Sequence, residues 1–312
     1  MPDPTTTNEP GGERTATDRS PRGLLRWALG PAVDPVPATM AAYATAVRIV
    51  LGLLWLWNVN WKVPPDFGRT NEVGLYKFTE FAVTHPVFPP YAWLTEHLIL
   101  PNLSVFGWLV ILSETTLAVL LLSGAWVRLA ALLGIAQSVA IALSVAFAPH
   151  EWAWAYLLMI AAHLALLSSS PGRYLAVDAV RAGLSDGRTV ARVAGGVAVV
   201  AGLYSTIRGL GDPLAANGPQ IGTSSWEVGL GSFNVLGGVV LLVVGVSLVA
   251  AERLGATAAW VSVAVALAAA VLMRIQAGFE GRLLGGGGTS AALLITLALV
   301  AFTRARALGE RR

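Results

Sequence analysis

Long apolar stretches alternate with short polar ones from Thr39 to the carboxyl terminus. Eight of them, at about 40–58, 103–123, 128–148, 152–169, 190–208, 229–250, 256–275 and 288–303, approach the ~20 residues that a helix needs to cross a hydrocarbon core. The last is short for a span and opens on glycine. The pattern predicts an all-α, polytopic membrane protein with about eight transmembrane helices. Residues 1–38 are rich in Pro, Thr, Gly and charge, with no apolar core, so they predict a disordered cytoplasmic tail and not a secretory signal. Within that tail, Leu24 to Leu29 are expected to rest on the membrane surface through Arg26 and Trp27.

Each half of the chain begins with one span, continues through a longer outer loop (about 59–102 and 209–228) and ends in three spans. The repetition lies in layout and not in residue identity. Between the halves stands "SSSPGRYLAVDAVRAGLSDGRT", residues 168–189, where Pro171 and Gly172 end a span. Arg173 to Leu184 then suits a short interfacial helix and Asp186-Gly187 a turn. The division expected is a first membrane domain over 39–180, a cytoplasmic linker over 181–189 and a second membrane region over 190–312 with a short basic tail. The first outer loop mixes aromatics, prolines and charges, and Tyr76–Val83 and Tyr91–Leu98 each suit a short amphipathic helix. "GGGG" at 285–288 lacks the Lys-Ser/Thr of a phosphate loop and is expected to be a flexible connection.

Composition supports the membrane reading. The chain is 55% hydrophobic and 12% charged, about half the charge fraction of a soluble domain. Arginine (19) far outnumbers lysine (2), which together with abundant Ala, Gly and Val points to a high-GC bacterial genome. No cysteine occurs, which excludes disulfides, thiolate catalysis and Cys-ligated clusters. If the amino terminus is cytoplasmic, Arg14, Arg19, Arg22, Arg26, Arg128, Arg173, Arg181, Arg188, Arg192, Arg253, Arg304, Arg306, Arg311 and Arg312 fall inside. Only Lys62, Arg69, Lys77, Arg208, Arg274 and Arg282 then fall outside, and Arg48 lies within a span. This asymmetry predicts a cell-membrane protein with both termini cytoplasmic. Trp55, Trp57, Trp61, Trp93, Trp108, Trp152, Trp154 and Trp226 crowd the outer ends, where indole suits the interface.

Four strong polar groups fall at similar depth in the first half. At ~1.5 Å of rise per residue, Glu114 lies roughly 17 Å, Arg48 about 15 Å and His163 about 17 Å below the outer ends of their spans, with Gln137 near mid-span. An unpaired charge there costs about 2.5 kcal/mol or more. The economical arrangement is Arg48 facing Glu114, with Gln137 or His163 satisfying the rest. Such a pair serves equally as a helix lock or as a working site, and His163 alone is more often a packed imidazole than a ligand. Haem would need a second histidine at depth, whereas His85, His97 and His150 fall on the outer surface. Those three with Glu80, Glu96 and Glu151 match no metal-ligand spacing, so no metal site is expected. Arg48, Gly52, Trp55, Val59 and Lys62 share one helical face. A quinone headgroup or an anion suits this face at Trp55 and Lys62, with Trp61 beside them at the helix end and Gln137 of the third span as further candidates, although Trp and Lys at a helix end also serve simply as anchors.

The segments "VRIVLGLLWLWNVNWK" (47–62), "GWLVILSETTLAVLLLSGAWVRLAALLG" (107–134) and "EWAWAYLLMIAAHLALLSSSPGRYLAVDA" (151–179) together resemble the DoxX/DoxD family of bacterial membrane proteins. The resemblance rests on an Arg and a terminal Lys on the first helix, a Glu in the second, a Gly124-x-x-x-Arg128 turn, and Gly172, Arg173 and Asp178 after the fourth. It covers about 40–180, and 190–312 depart from the family's compact four-helix form. The long first loop is similar to that of the DoxD branch, associated with thiosulfate:quinone oxidoreductase. The resemblance implies a membrane subunit that passes electrons from a reduced sulfur donor to quinone, working with a partner redox subunit. It carries Arg48, Lys62, Glu114 and Arg128 over as family positions. Glu114, Arg48 and His163 are then the candidate catalytic groups. Two other functions stay open: a non-enzymatic scaffold of a redox complex, and a small-solute transporter suggested by the doubled layout. Lipid is the expected environment in every case, and nothing points to nucleic acid.

Overall fold

The computed structural model describes residues 20–222, 227–276 and 282–310. Trp226 and, among the counted arginines, Arg14, Arg19, Arg311 and Arg312 lie outside the described residues. The elements in order are α1 (Pro21–Leu29), α2 (Ala38–Asn58), α3 (Gly74–Thr84), α4 (Pro89–Leu94) running into a π-helical turn (Thr95–Ile99), α5 (Leu103–Ser123), α6 (Val127–Val145), α7 (Ala153–Leu167), α8 (Val177–Arg181), α9 (Arg188–Arg208), β1 (Gln220–Gly222), β2 (Glu227–Gly229), α10 (Val235–Leu254), α11 (Ala256–Ile275) and α12 (Gly288–Gly309). β1 and β2 form an antiparallel pair with Ile221 opposite Val228. α3, α4 and the π-helical turn occupy the two helical segments expected in the first outer loop.

Seven helices among the described residues (α2, α5, α6 and α9 to α12) are long and apolar enough to cross a membrane, and α7 is apolar but only 15 residues long. The chain is an all-α polytopic membrane protein. The short crossing is therefore the fourth and not the last. α12 runs for 22 residues to Gly309, well past the end expected at 303.

The chain is ordered earlier than its composition implies. Ser20 accepts a hydrogen bond from the Gly23 amide and Pro21 opens α1, the usual chemistry of a helix start. The segment after α1 is tied down because Ala32 donates to the Asp178 carboxylate at 3.2 Å and accepts from the Gly172 amide at 2.9 Å. Asp178 is wholly buried and also accepts from the amides of Trp126 (3.0 Å) and Val127 (3.1 Å), which open α6. Arg181 neutralises it at 2.7 Å. One carboxylate thus joins the segment before α2, the start of α6 and α8. The interfacial helix expected over 173–184 shrinks to Val177–Arg181, since Leu175 takes a left-handed backbone just upstream.

One end of the bundle collects these charges. Arg128 pairs with Asp34, Arg181 donates to the Leu29 carbonyl, Arg304 lies 3.6 Å from Asp186, and Arg192 grips Glu252 with two hydrogen bonds. The segments leading into α2 and out of α12 therefore sit at the same end, as an even number of crossings requires, and α7 crosses despite its length.

The two halves share one core. Leu51, Leu56, Leu117 and Leu121 of the first half pack in a single cluster with Val190, Leu248, Ala292, Val300 and Ala301 of the second. α5 and α12 are the most buried of the long helices, and α12 packs directly on α5. In the second half, α9 and α10 touch through glycine. A Cβ on Gly195 would stand 2.9 Å from the Gly245 carbonyl oxygen, and one on Gly202 would stand 2.8 Å from that of Gly238. Small residues at such positions let backbones approach where lipid leaves only packing to drive association.

Asp178→Ala, which strands the α6 amides and removes the carboxylate that faces Arg181, is expected to destabilise the protein by about 2–4 kcal/mol. Thermal unfolding in detergent checks this: Asp178→Ala should lower the midpoint by several degrees, and Asp178→Asn by less.

Candidate functional site

The stagger between α2 and α5 decides which charges meet. Gly52 lies directly against Leu122, where a Cβ would come within 3.1 Å of the Leu122 amide nitrogen. The two helices run antiparallel, so from that contact outward α2 ends beside the middle of α5. Arg48 consequently stands near the opposite end of α5, well away from Glu114. Its guanidinium donates to the carbonyls of Leu121, Leu122 (3.3 Å), Tyr174 (3.3 Å) and Leu175 (2.9 Å). Those of Leu121 and Leu122 belong to the last turn of α5 and have no helical donor. A cation there also meets the negative end of the helix dipole. The expected Arg48–Glu114 pair is thus replaced. Arg48 caps a helix, and Glu114 finds a different cation.

That cation is Lys62, four residues beyond the end of α2. Its ammonium lies 2.8 Å from Glu114 Oε2, and the two side chains are 3% and 1% exposed, which leaves the pair essentially no water. The ammonium donates to the Asn58 carbonyl at 2.7 Å and lies 3.7 Å from the centre of the Trp61 ring. Trp61 in turn donates to Asn58 Oδ1 at 3.1 Å. Gln137 supplies an amide beside the carboxylate from α6. Among the described residues no donor is aligned with Oε2 at hydrogen-bonding angles, so the contact with Lys62 is an ion pair approached off-axis. The carboxylate keeps acceptor capacity for another group.

The amino-terminal half of α5, left without α2 beside it, is covered by the first loop. Phe67 is buried against Gly107 and packs with Leu75, Leu103, Val110 and Ile111. Between this cover and α6 and α7 lies a cavity of about 710 Å³. Trp61, Lys62, Glu114 and Gln137 all line it, together with Phe78 of α3, Tyr91 of α4, Phe106 and Val110 of α5, and Glu151 and Tyr156 near α7. Tyr91 bonds Ser144 at 3.1 Å, and Tyr156 donates to Glu151. The site is therefore an aromatic and aliphatic chamber with one neutralised ion pair in its wall and a few polar groups spread around it.

Three of the expected site residues lie elsewhere. Arg48 serves the end of α5. His163 is fully buried, with Nδ1–H donating to the Met159 carbonyl at 2.7 Å and Nε2 accepting from Trp55 Nε1–H at 3.0 Å. Both ring nitrogens are satisfied and Gly134 packs flat against the ring, so His163 is a packed, neutral imidazole. Trp55 is 2% exposed and belongs to that lock; it is neither an interfacial anchor nor part of the cavity. Phe78, Tyr91, Tyr156 and Glu151 are not nominated for this site by the sequence, since their membership depends on how the first loop folds back over the bundle; Glu151 figures there only in a rejected metal set and Tyr91 only at the start of a loop helix.

Comparison with family models, with curated proteins and with solved structures found no match. The class defined by the fold and site is a polytopic membrane protein carrying a buried Lys–Glu pair in the wall of an apolar chamber.

Leaving either charge alone in this dry wall is expected to cost about 3–5 kcal/mol, whereas removing both costs less than the sum of the two. Lys62→Met and Glu114→Gln should each lower the unfolding midpoint in detergent, and the double variant should recover part of the loss. Strict additivity would remove the pairing.

Proposed function

We propose that the protein is a membrane redox subunit that binds quinone in the chamber beside Lys62 and Glu114. The observation that carries this reading is the match of chamber to ligand. Apolar ligand sites of some 300–1,000 Å³ bury drug-sized molecules and use a few placed polar groups to orient them. The chamber of about 710 Å³ has aromatic walls from Trp61, Phe78 and Phe106 for a ring and isoprenoid tail, with Gln137, Tyr91 and the ion pair for the headgroup oxygens.

Reduction of a quinone to quinol takes two electrons and two protons. Glu114 is placed to pass a proton, with Lys62 holding the carboxylate charged between transfers and Gln137 positioning the headgroup. Tyr156 and Glu151 supply a further protic pair in the same wall. The resemblance to the DoxX/DoxD family supplies the rest: electrons come from a reduced sulfur compound of the thiosulfate class, through a partner redox subunit. The bacterial cell membrane, with both termini cytoplasmic, is the location that the arginine distribution favours. A scaffold reading draws on Arg48 and Asp178, whose partners are all backbone groups and a neighbouring arginine, so those two residues hold helices and do no chemistry.

The test is extraction of lipid-soluble cofactors from purified protein, followed by assay of donor-dependent quinone reduction in membranes. Quinone is expected at close to one per chain, and Glu114→Gln is expected to lower turnover at least tenfold while quinone remains bound. Protein that carries no quinone and does not bind added short-chain quinone returns the protein to the scaffold reading.

A further inference from the structure

Lys62 and Trp57, which line the chamber, also line a second cavity of about 360 Å³. Its far wall comes from the second half of the chain: Arg274 at the end of α11, Arg282, and the glycine run that opens α12. No acidic side chain stands among its described lining residues. The glycine run, expected to be a flexible connection, is a packed turn. Gly285 and Gly286 have φ of 67° and 81°, and a Cβ on Gly285 would stand 2.6 Å from the Asn234 amide nitrogen. Arg282 braces this turn through the Gly286 carbonyl.

The turn brings both guanidinium groups to the start of α12. A side chain at Gly288 would meet Arg274 Nη1 at 3.6 Å, and one at Gly287 would meet Arg282 Nη1 at 3.9 Å. Gly287 leaves the space beside Arg282 open, whereas Gly288 packs against Val59, whose Cγ1 a Cβ there would meet at 2.7 Å. Arg274 stacks distantly on Trp108, 6.0 Å from the ring centre, with no carboxylate facing it among the described residues. The first amides of α12 have no intrahelical acceptor and carry the positive end of the helix dipole, which adds to the field of the two arginines. Planar guanidinium forks suit oxyanions with two or more acceptor oxygens.

We propose that this cavity binds a small oxyanion of the sulfate or phosphate class, gripped by Arg274 and Arg282 at the opening of α12. The site stands on its own residues and does not depend on the quinone reading. Lys62 makes it the neighbour of the chamber, for an anion here draws the same ammonium that holds Glu114. Anion occupancy and the state of the Glu114 carboxylate are linked through one side chain.

The experiment titrates delipidated protein in a non-ionic detergent with sodium sulfate or inorganic phosphate, at ionic strength held constant with chloride. Calorimetry and the thermal midpoint are the readouts. Wild-type protein is expected to bind one anion per chain and to unfold at a higher temperature. Arg274→Gln should weaken binding at least tenfold, Arg274→Lys should restore part of it, and Glu114→Gln should still bind. A phosphorus assay before delipidation identifies the native source: phospholipid displaced by sulfate means a headgroup occupies the site, and its absence means a free ion. Either result leaves the site standing. Wild-type protein that responds to sulfate and phosphate no more than to chloride overturns the proposal, as does undiminished binding by a folded Arg274→Gln. Neither failure touches quinone retention in the chamber.

Discussion

A carboxylate and an ammonium 2.8 Å apart, both shut away from water, are the constraint around which the amino-terminal half is arranged. In hydrocarbon neither charge persists alone, so Lys62 must be delivered to the depth of Glu114. Since Lys62 lies beyond the end of α2, the helix has to stop halfway along α5 for the pair to form. Stopping there exposes the amino-terminal half of α5, and the first loop must return to cover it with Phe67 and α3. The chamber is what remains between that cover and α6 and α7. Stagger, loop and cavity thus follow from one electrostatic requirement.

The same requirement appears at the other end of the bundle with different partners. Arg48 is fully buried and, among the described residues, has no carboxylate in contact; backbone carbonyls left over at the end of α5 take the place of a counter-ion, with those of Tyr174 and Leu175 beside them. Asp178 answers with the reverse arrangement, taking amides left over at the start of α6. Two helix ends meeting at Gly124 present opposite partial charges, and each is met by a full charge of the right sign. The φ of 67° at Gly124 turns the chain between them, and a Cβ there would collide with Ala176 and with the Arg48 guanidinium. The Gly124 to Arg128 turn and the Asp178 that follows α7 are therefore parts of one device.

Depth and helical face were legible in the sequence, and stagger was not. Glu114, Gln137, Trp61 and Lys62 could be nominated because hydropathy fixes where a span runs and 3.6-residue periodicity fixes which residues share a side. Arg48 was nominated by the same logic and assigned the wrong partner, because two apolar helices of similar length slide past each other with no change in either pattern. The contact that sets their offset is Gly52 on Leu122, a close approach that hydropathy does not register. His163 and Trp55, nominated for catalysis and for a quinone face, instead satisfy each other, a pairing across two helices that neither residue's own pattern reveals. Order in residues 21–38 was hidden by polar composition, since its source is a distant carboxylate, Asp178, and not any local apolar periodicity.

The division into halves also changes meaning in three dimensions. The repeated layout of one span, a loop and three spans reads as two units in tandem, yet α12 packs against α5 and the principal core draws on both halves. Thr289, in the first turn of α12, donates to the Leu56 carbonyl near the end of α2, and Gly288 lies against Val59. The second half therefore buttresses the very segment that delivers Lys62. A four-helix unit on its own would leave α2 ending in mid-bundle with its last turn uncovered. The additional helices close that gap, and in closing it they bring Arg274 and Arg282 to the back of the same lysine. Residues 190–312 are in this light part of how the Lys62–Glu114 wall is held.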